Sequence, residues 1–326
     1  VFNIGLVGTG FMGRTHSAAF EQIPGARISA ICSRNPDSAR PLADQWGAAV
    51  YASLEEMLDK EPLDAIDICL PTHLHREAAE LAAAAGKHVF CEKPIAASTE
   101  DAMAMITACR QAGVVLMIGH VTRFNPEYAA AKQQLLDGAL GKPGVLRTSR
   151  VSEFPSWAAW YSNYGNEGTL IDLAIHDFDF LRWCLGPVKR VFTHQVSAEK
   201  FDHSLTILRF ASGAMAHVEA SWAYPAGTAI QVSLEIAGSN GLALFDRQKA
   251  YPIQAWHQDG GGRAALASPL ARNHYVRELE HFLDCIQHRK KPLTSGEEAL
   301  EALRISLAAV RSARSGQPVE LEAVSL

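Results

Sequence analysis

Through the first 120 residues, apolar runs of strand length alternate with stretches of helical character, and no other feature of the chain narrows the choice of fold as much. "FNIGLVG", "RISAIC", "LDAIDICL", "KHVFC" and "VVLMIGH" are short and largely apolar, and helix-like segments such as 36–45, 73–85 and 99–112 lie between them. A strand that is apolar on both sides belongs inside a sheet covered on both faces, and that arrangement calls for parallel strands joined by helices. Right-handed crossovers then predict a doubly wound α/β domain over residues 1–120.

The texture changes near Asn125. A predicted helix over about 126–137 leads into "GKPGVLRTSRVSEF", and a second helix is expected near 168–185. The segments "VKRVFTHQVSA", "HSLTILRF", "AMAHVEASW", "TAIQVSLEIAG" and "GLALFD" then follow, with turn signals such as "ASGA" and "GSNG" between them. That pattern predicts an open, mostly antiparallel sheet in an α+β domain over 121–326, closed by helices at about 272–289 and 297–315. The expected chain is therefore a doubly wound α/β domain followed by an α+β domain.

Composition removes several function classes. With 30 basic and 35 acidic residues spread without long runs, the net charge of −5 offers no footprint for nucleic acid or an anionic membrane. No apolar stretch approaches the ~20 residues of a membrane span. The chain enters a strand pattern at its first residues without a basic leader, so the expectation is a cytoplasmic protein. Its six cysteines form no C-x-x-C pair, and Cys32, Cys69 and Cys91 read as small core residues. His73 and His75 have no suitably placed cysteine partners, so no metal site is expected.

"GLVGTGFMGRTH" carries G-x-G-x-x-G at Gly8, Gly10 and Gly13, with Phe11 and Met12 at the start of the helix that follows. After a strand and before a helix, this spacing lets backbone amides approach a pyrophosphate. At the end of the second strand an NAD-binding domain would usually offer a carboxylate to the ribose 2′-hydroxyl. This chain has Ser33 and Arg34 there, a hydroxyl and a guanidinium suited to a 2′-phosphate. NADP(H) is the preferred cofactor on that ground. NAD(H) is the alternative, with Asp37 reaching the ribose.

In "GNEGTLIDLAIHDFDFLRWCLG" a regular helix puts Asp172, His176 and Asp179 on one stripe between two apolar flanks. A carboxylate one turn from an imidazole can orient it and raise its basicity, as a general base requires. The same pair could equally be a satisfied structural contact. Asp177, among the apolar residues, reads as a structural hydrogen-bonding group.

Taken in order, "GLVGTGFMGRTH", "DICLPTHLH", "HVFCEKPIA", "GHVTRFNPEY", "GTLIDLAIHDFDFLRW" and "HYVRELEHFLDCI" resemble the glucose–fructose oxidoreductase/inositol dehydrogenase (Gfo/Idh/MocA) family. The resemblance implies a hydride transfer between nicotinamide and a secondary alcohol of a sugar or polyol, with an inositol-like ring as the favoured guess. It implies a cis Lys93–Pro94 bond that aims Lys93 at the reacting hydroxyl, with Glu92 touching the cofactor. His176 would be the acid/base, Asp172 would bind substrate or orient His176, and Pro71, Thr72 and His75 would border the nicotinamide. Arg123 either lines the cleft or forms a structural salt bridge. Trp157, Tyr161 and Tyr275 either reach the substrate pocket or pack in the core. Homodimers or homotetramers would form through the C-terminal sheet. Two other activities fit the same fold: an NAD-dependent glycosidase working by oxidation and elimination, and a non-catalytic cofactor sensor. The loop "GNEGT", with Asn166 and Glu167 where many relatives have glycines, departs from the family pattern.

Overall fold

The computed structural model describes residues 1–155, 168–248 and 272–322, together with the backbone of 253–257 and 262–265. Its contacts divide into two units, Val1–Phe124 with Arg272–Leu300, and Asn125–Ala271 with Glu301–Leu326.

In the first unit the apolar runs become parallel strands β1 (Phe2–Val7), β2 (Ala26–Cys32), β3 (Ala49–Tyr51), β4 (Ala65–Ile68), β5 (His88–Glu92) and β6 (Leu116–Gly119). Their order in the sheet is β3-β2-β1-β4-β5-β6. This is the Rossmann arrangement, in which the chain reverses direction across the sheet between β1 and β4. Helices α1 (Phe11–Phe20), α2 (Pro36–Trp46), α3 (Leu54–Lys60), α4 (His75–Ala84) and α5 (Thr99–Ala112) supply the crossovers. All four residues of β4 and of β6 are buried, as a sheet covered on both faces requires.

Two glycines shape the turn after β1. Gly8 has φ +100°, and a Cβ there would lie 2.5 Å from the Cys69 carbonyl oxygen. A Cβ on Gly13 would come within 2.1 Å of the Gly8 oxygen, so only glycine lets α1 start this close to the strand. Gly10 differs, since a Cβ there would meet no protein atom.

Helix α8 (His274–His288) also belongs to this first unit, although it comes late in the chain. Its Val276, Leu279, Phe282 and Leu283 join Ile4, Leu6, Phe20 and Phe90 in one apolar cluster. Phe282 meets the Phe90 ring edge-on, with centroids 5.5 Å apart.

The second unit contains α6 (Pro126–Leu136), β7 (Pro143–Glu153), α7 (Ile175–Leu185), β8 (Val188–Ala198), β9 (Phe201–Phe210), β10 (Met215–Tyr224), β11 (Gln231–Gly238), β12 (Gly241–Asp246), β13 (Ile253–His257) and β14 (Gly262–Ala265). The part of helix α9 (Gly296–Ser315) from Glu301 onward and β15 (Val319–Glu320) complete it. Among the described residues the sheet order is β14-β13-β12-β11-β7-β10-β9-β8-β15. β7 and β10 run parallel, and the other pairs are antiparallel. The period of two is plain in β9, where Asp202, Ser204, Thr206, Leu208 and Phe210 are buried while Leu205, Ile207 and Arg209 face outward. The inward face packs on α7 and α9 through Phe178, Leu181, Ile305 and Ala309.

One buried ion pair locks α7 to this sheet. Arg150 on β7 donates from Nε to Asp177 Oδ2 at 2.9 Å and from a second nitrogen to Oδ1 at 3.3 Å, with the Tyr128 hydroxyl at 3.4 Å. Asp177 thus has the structural role that its apolar neighbours indicate. Removing one member of such a pair strands the other's charge. Asp177→Ala should lose about 3–5 kcal/mol of unfolding free energy in urea titrations. An Arg150→Met/Asp177→Leu double variant should regain most of it.

Candidate active site

The residues singled out in the first unit converge on the carboxyl ends of β1, β4 and β5. The β1–α1 turn meets the end of β4 directly, with the Cys69 N–H donating to the Val7 oxygen at 2.8 Å. Helix α1 begins at Gly10 with no side-chain cap. The first N–H groups of a helix have no intrahelical acceptor and sit at the positive end of its dipole. Phe11 and Met12 occupy those first positions, and the glycine before them leaves space on the approach. These residues fit a dinucleotide pyrophosphate, because backbone donors, helix dipole and room coincide.

At the end of β2, Ser33 belongs to a cluster of hydroxyls. Its Oγ lies 3.1 Å from Ser38 Oγ and 3.4 Å from Thr9 Oγ1, and Thr9 and Ser38 are 2.9 Å apart. Thr9 lies inside the glycine-rich turn, so the cluster ties that turn to the β2 end. Arg34 is exposed beside it. Asp37 sits in the first turn of α2, where its N–H is capped by Asn35 and its carboxylate pairs with Arg40 at 3.1 Å.

Between the ends of β1, β4 and β5 lies a cluster that the glycine motif does not reveal. His16, on α1, is fully buried. Its Nδ1 lies 2.9 Å and 3.1 Å from the two carboxylate oxygens of Asp67 on β4, and 3.3 Å from Cys69 Sγ. Its Nε2 lies 3.2 Å from Glu92 Oε1. That second contact is poorly aligned for a hydrogen bond, so its attraction is mainly coulombic. Burial, the largest single influence, lowers the imidazole pKa, but Asp67 and Cys69 together outweigh it and hold His16 well above the ordinary value of 6.5. Burial works against the Glu92 charge in the same way, and His16 with Lys93 reverses it, leaving that carboxyl below its ordinary range. An imidazolium has no lone pair to offer a cation, so His16, Asp67 and Cys69 read as a charge cluster although their ligand atoms lie within 4.8 Å of one another.

Glu92 ends β5, and its Oε2 accepts the Lys93 N–H at 3.1 Å. The Lys93–Pro94 peptide is cis. On the other side of this turn, His75 Nδ1 lies 3.0 Å from the Pro94 oxygen and its Nε2 2.8 Å from the Leu70 oxygen. His75 is fully buried, and burial lowers its pKa. The neutral ring donates through one nitrogen only, so it bonds one of these carbonyls and packs against the other, sitting between the Leu70 loop and the Lys93 turn. Thr72 is buried and Pro71 half-buried in that loop.

Arg123 is 2% exposed, and its guanidinium donates to the Leu293 carbonyl at 2.9 Å and to Glu298 Oε2 at 3.0 Å. Of its two expected roles, these bonds supply the structural one. Tyr275 packs toward His16 with ring centroids 6.0 Å apart. Trp157, Tyr161, Asn166 and Glu167 lie outside the described residues.

In the second unit, Asp172 and His176 do not share one regular helix. Thr169–Leu173 forms a π-helical turn in which the Ala174 N–H reaches back to the Thr169 oxygen at 2.7 Å, and α7 starts only at Ile175. The physical reason lies at Thr169, whose N–H and hydroxyl both donate to Asp202 Oδ2, at 3.0 and 2.9 Å. Gly168 is pinned just before it, since a Cβ there would come within 2.3 Å of the Trp222 ring. Asp172 is 7% exposed and Asp179 fully buried, whereas His176 is the one half-buried residue between Thr169 and Leu181. π-turns of this kind occur mostly at functional sites.

Comparison with known proteins identifies the family of both units. The family described as "Oxidoreductase family, NAD-binding Rossmann fold" matches residues 2–120, and "Oxidoreductase family, C-terminal alpha/beta domain" matches 132–321. The chain is 31% identical to D-apiose dehydrogenase of Paraburkholderia graminis, covering 99% of this chain and 90% of that protein. It is 30% identical to myo-inositol 2-dehydrogenase of Thermotoga maritima, covering 98% and 99%. Among solved structures, levoglucosan dehydrogenase in complex with NADH and L-sorbose superposes with a TM-score of 0.91 at 26% identity, covering 99% of both chains.

The two buried histidines should leave opposite marks on stability. His16, with a raised folded pKa, contributes stability that is complete below about pH 6.5 and is lost as pH rises through its folded value. His75, with a lowered one, contributes stability that is present above about pH 6.5 and fades as pH falls through that value. Urea midpoints measured from pH 5 to 9, roughly the range histidines titrate over, should therefore peak near neutrality. His16→Gln should flatten the alkaline fall, and an unchanged alkaline limb would contradict the buried imidazolium.

Proposed function

Because the chain belongs to the Gfo/Idh/MocA family of NAD-binding oxidoreductases, we propose that it oxidises a secondary alcohol of a sugar or cyclic polyol, reversibly, with NADP(H) in preference to NAD(H). The observation that carries the reading is the Glu92–Lys93–Pro94 turn at the end of β5, beside the β1/β4 switch point where dinucleotides bind in such sheets. When bound, the nicotinamide accepts or returns the hydride. Lys93 donates a hydrogen bond to the substrate oxygen and stabilises the negative charge that grows on it. His176, half-buried near the start of α7, takes the hydroxyl proton, and Asp172 in the π-turn before it orients the ring or the substrate.

The relatives named as inositol and apiose dehydrogenases favour a polyol or sugar, and an inositol-like ring is the first choice. The NADP(H) preference rests on the hydroxyls of Ser33, Ser38 and Thr9 beside Arg34, and on Asp37 being engaged in α2 by Arg40. A 2′-phosphate would find donors there, whereas a ribose 2′-hydroxyl would lack its usual carboxylate.

For assembly, we propose a homodimer or homotetramer through the outward face of the second unit's sheet. Leu205, Ile207, Met215 and Val196 are all exposed on that face, an apolar grouping that monomeric proteins seldom leave in water.

Two measurements test these readings. Reduced-nicotinamide absorbance should rise with one member of a panel of inositols, aldoses and sugar derivatives, and Lys93→Ala or His176→Ala should lower kcat by about 10²–10⁴-fold. Arg34→Ala should weaken NADP⁺ selectively, and equal loss with both dinucleotides would turn the preference to NAD(H). For assembly, Ile207→Asp with Leu205→Asp should give monomers in sedimentation, and an unchanged mass would discard the sheet-face interface.

A further inference from the structure

The most unusual group in the first unit is one the hydride-transfer scheme does not use. A histidine with no solvent exposure sits between two buried carboxylates, and one of these carboxylates belongs to the residue immediately before Lys93. We propose that His16 is a positioning residue for Lys93: pinned by Asp67 on one edge, its ring braces the Glu92 carboxylate on the other, and Glu92 in turn fixes the backbone at which the lysine side chain departs. The inference rests on Lys93 acting at the substrate hydroxyl.

Three observations support it. The chain of contacts is continuous, from Asp67 to His16 Nδ1 at 2.9 Å, from His16 Nε2 to Glu92 Oε1 at 3.2 Å, and from the Lys93 N–H to Glu92 Oε2 at 3.1 Å. Each Glu92 oxygen thus has its own partner, so the carboxylate cannot turn without losing one. The surroundings hold the ring itself in place: Phe90 packs nearly perpendicular to it with centroids 5.4 Å apart, and Tyr275 lies at 6.0 Å. The sheet also keeps a place for the carboxylate. Glu92 pairs with Gly119 on β6, and a Cβ at Gly119 would lie 2.8 Å from Glu92 Oε1.

That last contact supplies an approach to the same carboxylate that leaves His16 untouched. Gly119→Ala should displace the Glu92 carboxylate, whereas His16→Gln removes its brace. Three readouts separate positioning from general stability. Lys93 reactivity toward an amine-acylating reagent, read by peptide mapping on protein free of substrate, should change by about threefold or more in both variants relative to surface lysines. Dissociation constants for the dinucleotide should stay within about threefold of wild type, while kcat falls tenfold or more with KM little changed, the pattern of an interaction lost in the transition state. The His16→Gln/Glu92→Gln double variant should lose no more kcat than the worse single variant, because both act through one contact.

Unchanged Lys93 acylation in a folded His16→Gln protein, or single losses that multiply in the double variant, would overturn the proposal. If His16→Gln does not fold, Gly119→Ala and Asp67→Asn decide by the same readouts. Should the wild-type protein turn over no sugar or polyol, the dehydrogenase reading fails alone. The acylation comparison needs no substrate and still decides the role of His16.

Discussion

A charge removed from water costs several kcal/mol unless a counter-charge and hydrogen bonds meet it inside the protein. The dinucleotide-facing edge of the first unit is organised by that constraint. Asp67 and Glu92 are buried carboxylates, and His16 stands between them as the compensating cation, with Lys93 following Glu92. The three backbone segments that this network ties together are the first helix, the end of β4 and the end of β5. These are also the segments that carry the glycine motif, the Pro71–Thr72 loop and the lysine. One electrostatic balance therefore touches all three segments within the first unit, on the scaffold that the sheet supplies.

The second unit meets the same constraint separately at each carboxylate. Asp202 accepts from Thr169 twice with one oxygen and from Gln195 and Ser197 with the other, so its buried charge is met entirely by neutral donors. Asp177 uses an arginine. With these two carboxylates committed, the helix that follows the π-turn is clamped at its start and along its inner side. Between Thr169 and Leu181, His176 is the one half-buried residue.

Both sheets were readable because burial imposes a period on strands: continuous apolar runs for parallel strands covered on both faces, and strict alternation for β9 and its neighbours. Gly8 and Gly13 were readable because the tight turn admits no other residue at those two positions. What stayed hidden depends on distant partners. His16 lies 51 residues from Asp67, and no local pattern connects the two. The only trace in the sequence is a histidine three residues past the last motif glycine. Arg123 could be read two ways because its choice depends on Glu298, at the far end of the chain. The π-turn was invisible for a similar reason. A wheel drawn over residues 168–185 assumes one regular helix, and the bond that defeats it comes from Asp202 on a later strand. The same holds for α8, whose sequence shows an amphipathic helix but not which sheet it covers.

The cofactor question shows how a local signal changes weight once its neighbours are known. On sequence alone the case for a 2′-phosphate depended on Arg34, a flexible and exposed side chain whose interaction with an anion is partly screened by solvent. In the fold, the firmer elements are the three hydroxyls of Thr9, Ser33 and Ser38, held within hydrogen-bonding distance of one another across the glycine turn and the β2 end. Hydroxyl groups can donate to a phosphate or accept from a ribose hydroxyl, so by themselves they do not discriminate. Discrimination comes from the missing carboxylate: Asp37 is drawn into the first turn of α2, where the helix dipole and Arg40 both favour it. Bringing Asp37 to a ribose would give up that pairing. The proposed preference for NADP(H) therefore rests more on where Asp37 stands than on the presence of Arg34.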